Sequence, residues 1–253
     1  MINNTLHREY MIGNGNKDVV IFIHGILGSP SRFRFLAEEL SRQGLDCMAL
    51  LLPGHGGTAR AFSRTPYEKW PSYVKARVRE ASRRYRRVFL VGHSLGGLIS
   101  LDCAAGGGVA GVVLINTPLA CKVSLRQLAF SMRIMLFPEG QDDALASAYR
   151  QEFSVSDAKL YEYPLWIRQF VGLYRYMRQT RRRLKDVRTR TLVIQSAHDE
   201  SVRQRSVGLF RAGLVNAAAD FMELKESYHG YFPEKDKQNL LDAVREFVAC
   251  PQA

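Results

Sequence analysis

The segment from Val88 to Ala105 constrains the fold of this chain more than any other. Four apolar residues, Val88–Val91, lead into Gly92-His93-Ser94-Leu95-Gly96-Gly97, and a helix-forming run follows from Leu98 to Ala105. Small residues on both sides of the serine permit a backbone reversal that a Cβ would obstruct, so the pattern reads as strand, tight turn and helix. Short, almost uninterrupted apolar runs recur at Val19–Ile23, Met48–Leu52, Val112–Ile115 and Leu192–Ile194, with a weaker edge run at Phe221–Leu224. Such runs belong to strands covered by helices on both faces. Helical periods lie between them: Phe33, Leu36 and Leu40 share one face, as do Leu240, Leu241, Val244, Phe247 and Val248. Ser29 can cap the first of these helices, Pro30 suits its first turn and Gly44 its end. The alternation predicts a doubly wound, mostly parallel α/β sheet with right-handed crossovers.

The pattern breaks between Thr117 and Asp186, where stretches rich in Phe, Tyr, Leu, Met and Arg have helical character and no convincing strand. A helical cap is therefore expected over about residues 117–186, inserted in one domain spanning 1–253, with Pro118, Pro138 and Pro164 bending or ending its helices. Hydrophobic residues make up 46% and charged residues 24%, which suits a globular core and excludes a disordered chain or a membrane bundle. The polar stretch Met1–Asp18 has no basic lead into an apolar segment, and no apolar run approaches the roughly 20 residues of a spanning helix. The expectation is a soluble cytoplasmic protein. Cys47, Cys103, Cys121 and Cys250 lack metal-site spacing and read as small buried hydrophobes. The net charge of +12 gathers in Arg77–Arg87 and Arg175–Arg190, which read as solvated helix faces. No nucleic-acid motif accompanies them, so nucleic acid is not an expected partner, whereas a basic cap is suited to peripheral contact with a membrane.

Ser94 stands where a helix begins, and the unpaired N–H groups and dipole there favour negative charge developing on a bound molecule. His24-Gly25-Ile26-Leu27-Gly28 directly follows the run Val19–Ile23. In acyl transfer a carbonyl oxygen becomes an oxyanion, best stabilised by two preorganised N–H donors, and the main chain of Ile26 and Leu95 supplies the candidates.

Together with Leu52-Pro53-Gly54-His55-Gly56-Gly57, these two motifs make the chain resemble the α/β-hydrolase superfamily, in particular its capped carboxylesterases and monoacylglycerol or lysophospholipid lipases. The resemblance spans nearly the whole chain and implies a triad in the order serine, acid, histidine. Ser94 is then the nucleophile. His229, in the loop Glu226-Ser-Tyr-His-Gly230, is the base, and Asp199 is the acid, with Glu200 beside it as the competitor that spacing within a loop does not eliminate. His7, His24 and His55 are assigned to packing or hydrogen bonding, His93 to packing and His198 to a structural role. The implied reaction is hydrolysis of a carboxylic ester through an acyl-enzyme on Ser94, with neither metal nor organic cofactor required. The expected partner is a small, lipid-like ester. In the cap, Leu128, Phe130, Met132, Ile134, Met135, Leu136 and Phe137 leave little polar surface before Pro138, and Met135 and Phe137 are the candidate substrate-binding residues. A thioesterase, peptidase or amidase with the same triad is the nearest alternative, and a ligand receptor on the same fold is the alternative outside catalysis.

Overall fold

A strand that is apolar at every position must be covered on both faces, and the sheet of this protein is. The computed structural model describes residues 7–13, 15–121, 153–155 and 160–249. Strand β1 (Tyr10–Ile12) precedes β2 (Asp18–Ile23), α1 (Arg34–Arg42) and β3 (Asp46–Leu50). Helices α2 (Ala59–Arg64) and α3 (Lys69–Arg84) lead to β4 (Arg87–His93), α4 (Leu95–Ala104) and β5 (Gly111–Ile115). After β5 the described helices and strands are α5 (Ile167–Arg183), β6 (Thr191–Ser196), α6 (Arg205–Gly213), β7 (Ala219–Leu224) and α7 (Glu234–Ala249). The strands form one seven-stranded sheet in the order β1-β3-β2-β4-β5-β6-β7, parallel throughout except for β1 against β3.

Side chains alternate along each strand, and this splits the core into two layers. Val19, Ile21 and Ile23 of β2 join the layer covered by α3, α4 and α5, while Val20 and Phe22 join the layer under α1 and α7. Phe22 is fully buried, with its ring centroid 5.1 Å from that of Phe33, so truncation to alanine there would cost about 3–5 kcal/mol. Helix α4 is buried on nearly every side, because the sheet lies on one side of it and α5 on the other. This explains why the run after Ser94 has no polar face.

Ser29 accepts a hydrogen bond from the Ser31 N–H and caps the 3-10 turn Pro30–Phe33 that runs into α1, and Gly44 follows that helix with φ +82°. The expected strand at Met48–Leu52 begins earlier, at Asp46, a buried carboxylate that takes hydrogen bonds from the Asn16 N–H and the Tyr85 hydroxyl. It ends earlier too, because the Leu52 N–H turns out of the sheet to donate to His24 Nε2. Strand β1 has no counterpart in the sequence reading. It is three residues long and only half covered, so it offers no apolar run to detect.

Of the expected cap, residues 117–121, 153–155 and 160–186 are described, the last stretch as a 3-10 turn over Leu160–Trp166 containing Pro164, then α5 and a short 3-10 turn Leu184–Asp186. The Trp166 ring packs edge-on against Phe62 of α2, and the Tyr176 hydroxyl donates to Asp102 of α4. Leu165 of the 3-10 turn and Ile167, Phe170 and Val171 on the opposite side of α5 are exposed, beside Arg168, Arg175 and Arg178. Met135 and Phe137 lie outside the described residues, as do Pro138 and Cys250. The arginines of α3 divide: Arg77 pairs with Glu9 and Glu80, while Arg79, Arg83 and Arg84 are exposed. No helix among the described residues is long and apolar enough to cross a membrane.

Candidate active site

The site is assembled at the carboxyl ends of the central strands, where an open α/β sheet leaves its crevice. Ser94 joins β4 to α4 with φ +53° and ψ −117°, a conformation costing about 1–3 kcal/mol for a residue with a side chain. Gly92, Gly96 and Gly97 around it leave no room for a Cβ. A Cβ on Gly92 would come within 2.5 Å of Gly96, one on Gly96 within 1.9 Å of the Ile23 carbonyl oxygen, and one on Gly97 within 1.8 Å of Thr117 Oγ1. These close approaches force the turn that lifts the serine to the head of the helix.

His229, in the loop between β7 and α7, reaches back to this turn. Its Nε2 lies 3.2 Å from Ser94 Oγ, and its Nδ1 lies 2.9 Å from Asp199 Oδ2. A carboxylate can only accept, so Nδ1 carries the proton and Nε2 is the acceptor for the serine hydroxyl. Asp199 is 1% exposed, and its carboxylate also takes N–H bonds from Val202 at 2.7 Å, Ser201 at 2.8 Å and the Gln195 amide at 3.0 Å. Burial alone would raise its pKa. The His229 ring and the main-chain donors outweigh that and hold it below the usual carboxylate value. For His229 burial works downward, but the charge and hydrogen bond of Asp199, with a further contribution from Glu200, leave its pKa raised. Glu200 does not compete with Asp199 for the ring. Its Oε2 accepts the main-chain N–H of His229 at 3.1 Å.

The Gly25 loop lies against the serine, since a Cβ on Gly25 would sit 3.0 Å from Ser94 Cβ. Two buried histidines shape it. His24 accepts the Leu52 N–H on Nε2 at 3.0 Å and donates from Nδ1 to the Gly25 carbonyl at 2.8 Å. His55 accepts the Leu27 N–H on Nε2 at 3.1 Å. Both are therefore neutral, and burial pushes the pKa of His24 well below its ordinary value and that of His55 to about 4. Leu27, at φ +60°, has its N–H committed to His55, whereas neither the Ile26 nor the Leu95 N–H donates to an acceptor among the described residues. His198 is exposed, with its ring 5.6 Å from Tyr228.

His93 does more than the packing expected of it. It is buried, and its Nε2–H donates to the carbonyl oxygen of His229 at 2.8 Å. Asn116 went unnoticed in the sequence, although it is fully buried at the end of β5 and donates to the same carbonyl at 3.0 Å. An asparagine after an apolar strand is compatible with its left-handed φ of +48°, but no local pattern separates it from an ordinary turn residue.

A parallel sheet with a serine on a glycine-flanked turn, a histidine from the last loop and a carboxylate after the sixth strand defines an α/β-hydrolase. More narrowly, the chain belongs to the family described as serine aminopeptidase, S33, which it matches over residues 14–236. It is 24% identical over 232 residues to a thermostable monoacylglycerol lipase of Bacillus sp. (strain H-257), covering 91% of this chain and 90% of that one. Among solved structures it resembles one from work on the metagenome-derived lipolytic enzymes LipS and LipT, with TM-score 0.76 and 22% identity over 96% of this chain and 97% of the other. It also resembles the monoacylglycerol lipase of Paleococcus ferrophilus, with TM-score 0.72 and 20% identity over 95% and 97% of the two chains.

Proposed function

We propose that this hydrolase cleaves carboxylic esters of apolar acyl chains through an acyl-enzyme on Ser94. The observation that carries the reading is the continuous relay Ser94 Oγ, His229 and Asp199, with bonds of 3.2 and 2.9 Å. His229 takes the serine proton as Oγ attacks the acyl carbon, and the raised pKa of the ring suits it to hold that proton until the alcohol leaves. Asp199 fixes the tautomer and stabilises the imidazolium. The oxyanion rests on the N–H groups of Ile26 and Leu95, each donor of this kind contributing on the order of 10²-fold or more in rate. Water then enters by the same relay and releases the acid.

Lipase relatives support an ester substrate, and the expected cap over about residues 117–186, with Met135 and Phe137, would line the acyl pocket. The exposed apolar residues of α5 and the arginines beside them would suit brief contact with an anionic lipid surface from which such an ester is drawn. The family description favours one second reading, an aminopeptidase with the same triad. Turnover of p-nitrophenyl butyrate against an aminoacyl p-nitroanilide separates the two. Faster ester turnover by several orders of magnitude is expected, and the reverse would establish the peptidase.

A further inference from the structure

Asn116 directly follows β5, the strand between the one that ends at the serine turn and the one that leads to the acid. The sheet register pairs His93 with Ile115 and Ile115 with Ile194, which sets Asn116 level with both turns. Its side-chain Oδ1 accepts the Ser196 N–H at 2.8 Å. Its Nδ2 faces three acceptors: Ser196 Oγ at 2.9 Å, the His229 carbonyl at 3.0 Å and the Tyr228 carbonyl at 3.2 Å. An amide has two N–H bonds, so these acceptors share them. The His229 carbonyl takes a second donor, the His93 ring at 2.8 Å, and the His229 N–H is held by Glu200 at 3.1 Å. Both polar main-chain atoms of His229 are thus anchored, independently of the bonds its ring makes.

We propose that Asn116 is a positioning residue which, with His93 and Glu200, clamps the main chain of His229 and so sets the reach of its ring to Ser94. The proposal rests on the reading of His229 as the base. A ring tied only to Asp199 could pivot about that bond as its loop moved. The serine bond, at 3.2 Å, already lies at the far end of productive reach. A shift of about 1 Å would break it, and misplacement on that scale costs on the order of a hundredfold in rate. Simple satisfaction of buried carbonyls would stabilise the fold with no such consequence.

The test is Asn116→Gly, which tolerates the left-handed backbone and removes both N–H donors. In protein shown by thermal melt to be folded, kcat for p-nitrophenyl butyrate should fall about ten- to a hundredfold with KM nearly unchanged, the signature of a lost transition-state contribution. The rate of fluorophosphonate modification should fall in parallel, and the downfield proton resonance of the His229–Asp199 bond should broaden. Glu200→Ala and Glu200→Gln provide a second arm on a less buried residue: the alanine variant should lose kcat several-fold, and glutamine, which keeps an oxygen for the His229 N–H, should restore most of it. Wild-type kcat and an unaltered resonance in folded Asn116→Gly would overturn the clamp, as would equal behaviour of the two Glu200 variants. Wild-type protein inert to both ester and fluorophosphonate would instead bring down the functional reading, and the clamp with it.

Discussion

Replacing Asp199 by asparagine tests the relay at its buried end. In the native site Oδ1 receives the Ser201 and Val202 N–H groups at 2.8 and 2.7 Å, and Oδ2 receives Gln195 at 3.0 Å and His229 at 2.9 Å. An amide has one accepting oxygen. The two main-chain donors cannot move away from it, so the NH₂ turns toward His229, whose Nδ1 must then be unprotonated. The ring proton passes to Nε2, and Nε2 can no longer take the proton of Ser94. A wrong tautomer of this kind lowers kcat by about 10⁴-fold in a serine protease, equivalent to about 5 kcal/mol of barrier. The Gln195 bond is lost as well, at a cost of about 1 kcal/mol, which lowers Tm by roughly 2–4 °C in a chain of this size. The assay is p-nitrophenyl butyrate turnover against pH. Wild-type activity should rise as His229 loses its proton, through a pKa above 6.5. With the carboxylate charge gone, the residual activity of the variant should rise at lower pH. Turnover within tenfold of wild type would refute the argument, and a crippled Glu200→Gln beside a healthy Asp199→Asn would transfer the role to Glu200.

Gly96→Ala should abolish soluble expression or activity, because its Cβ would lie 1.9 Å from a main-chain oxygen that cannot retreat; an active, stable variant would contradict the packing described for the turn. Acid should unfold the protein early. His24, His55 and His93 are buried with pKa values below 6.5, chiefly because burial disfavours their charged forms, so the unfolded chain binds more protons. Their contribution is complete above 6.5 and is lost as pH falls toward about 4 for His55, at up to about 1.4 kcal/mol per pH unit for each. His229 has the opposite sign, stabilising below 6.5 and losing that contribution as pH rises through its folded value. Urea unfolding should therefore show a steep fall in stability between pH 6.5 and 4.5, and a flat profile would contradict the assigned tautomers. With acyl p-nitrophenyl esters, kcat/KM should rise by up to about fourfold per added methylene, from about 0.8 kcal/mol each, until the pocket is filled. Polar replacements of Met135 or Phe137 should weaken octanoyl more than acetyl turnover, and equal losses in folded variants would remove those residues from the pocket.

What could be read in the sequence is what local rules determine. The turn at Ser94 was legible because Gly92 and Gly96 answer to backbone contacts under 3 Å, which leave no room for a side chain. The central strands were legible because burial on both faces leaves continuous apolar runs, as in Val88–Val91. Strand β1 was not, since pairing with β3 rather than its own composition makes it a strand. Asp199 and Glu200 are adjacent and chemically alike. Only the loop path sends one carboxylate to the ring of His229 and the other to its N–H. Asn116 was the least legible, because its part emerges where the ends of β5 and β6 meet the His229 loop, and no one of these segments records it.

The most direct measurement of the central claim is the mass of the protein after reaction with a fluorophosphonate, followed by peptide mapping of the adduct. One phosphonyl group should be found, on Ser94, formed at a rate that rises with pH as His229 becomes neutral, and folded Ser94→Ala should gain none. An adduct on another residue, or labelling that persists in Ser94→Ala, would contradict the account.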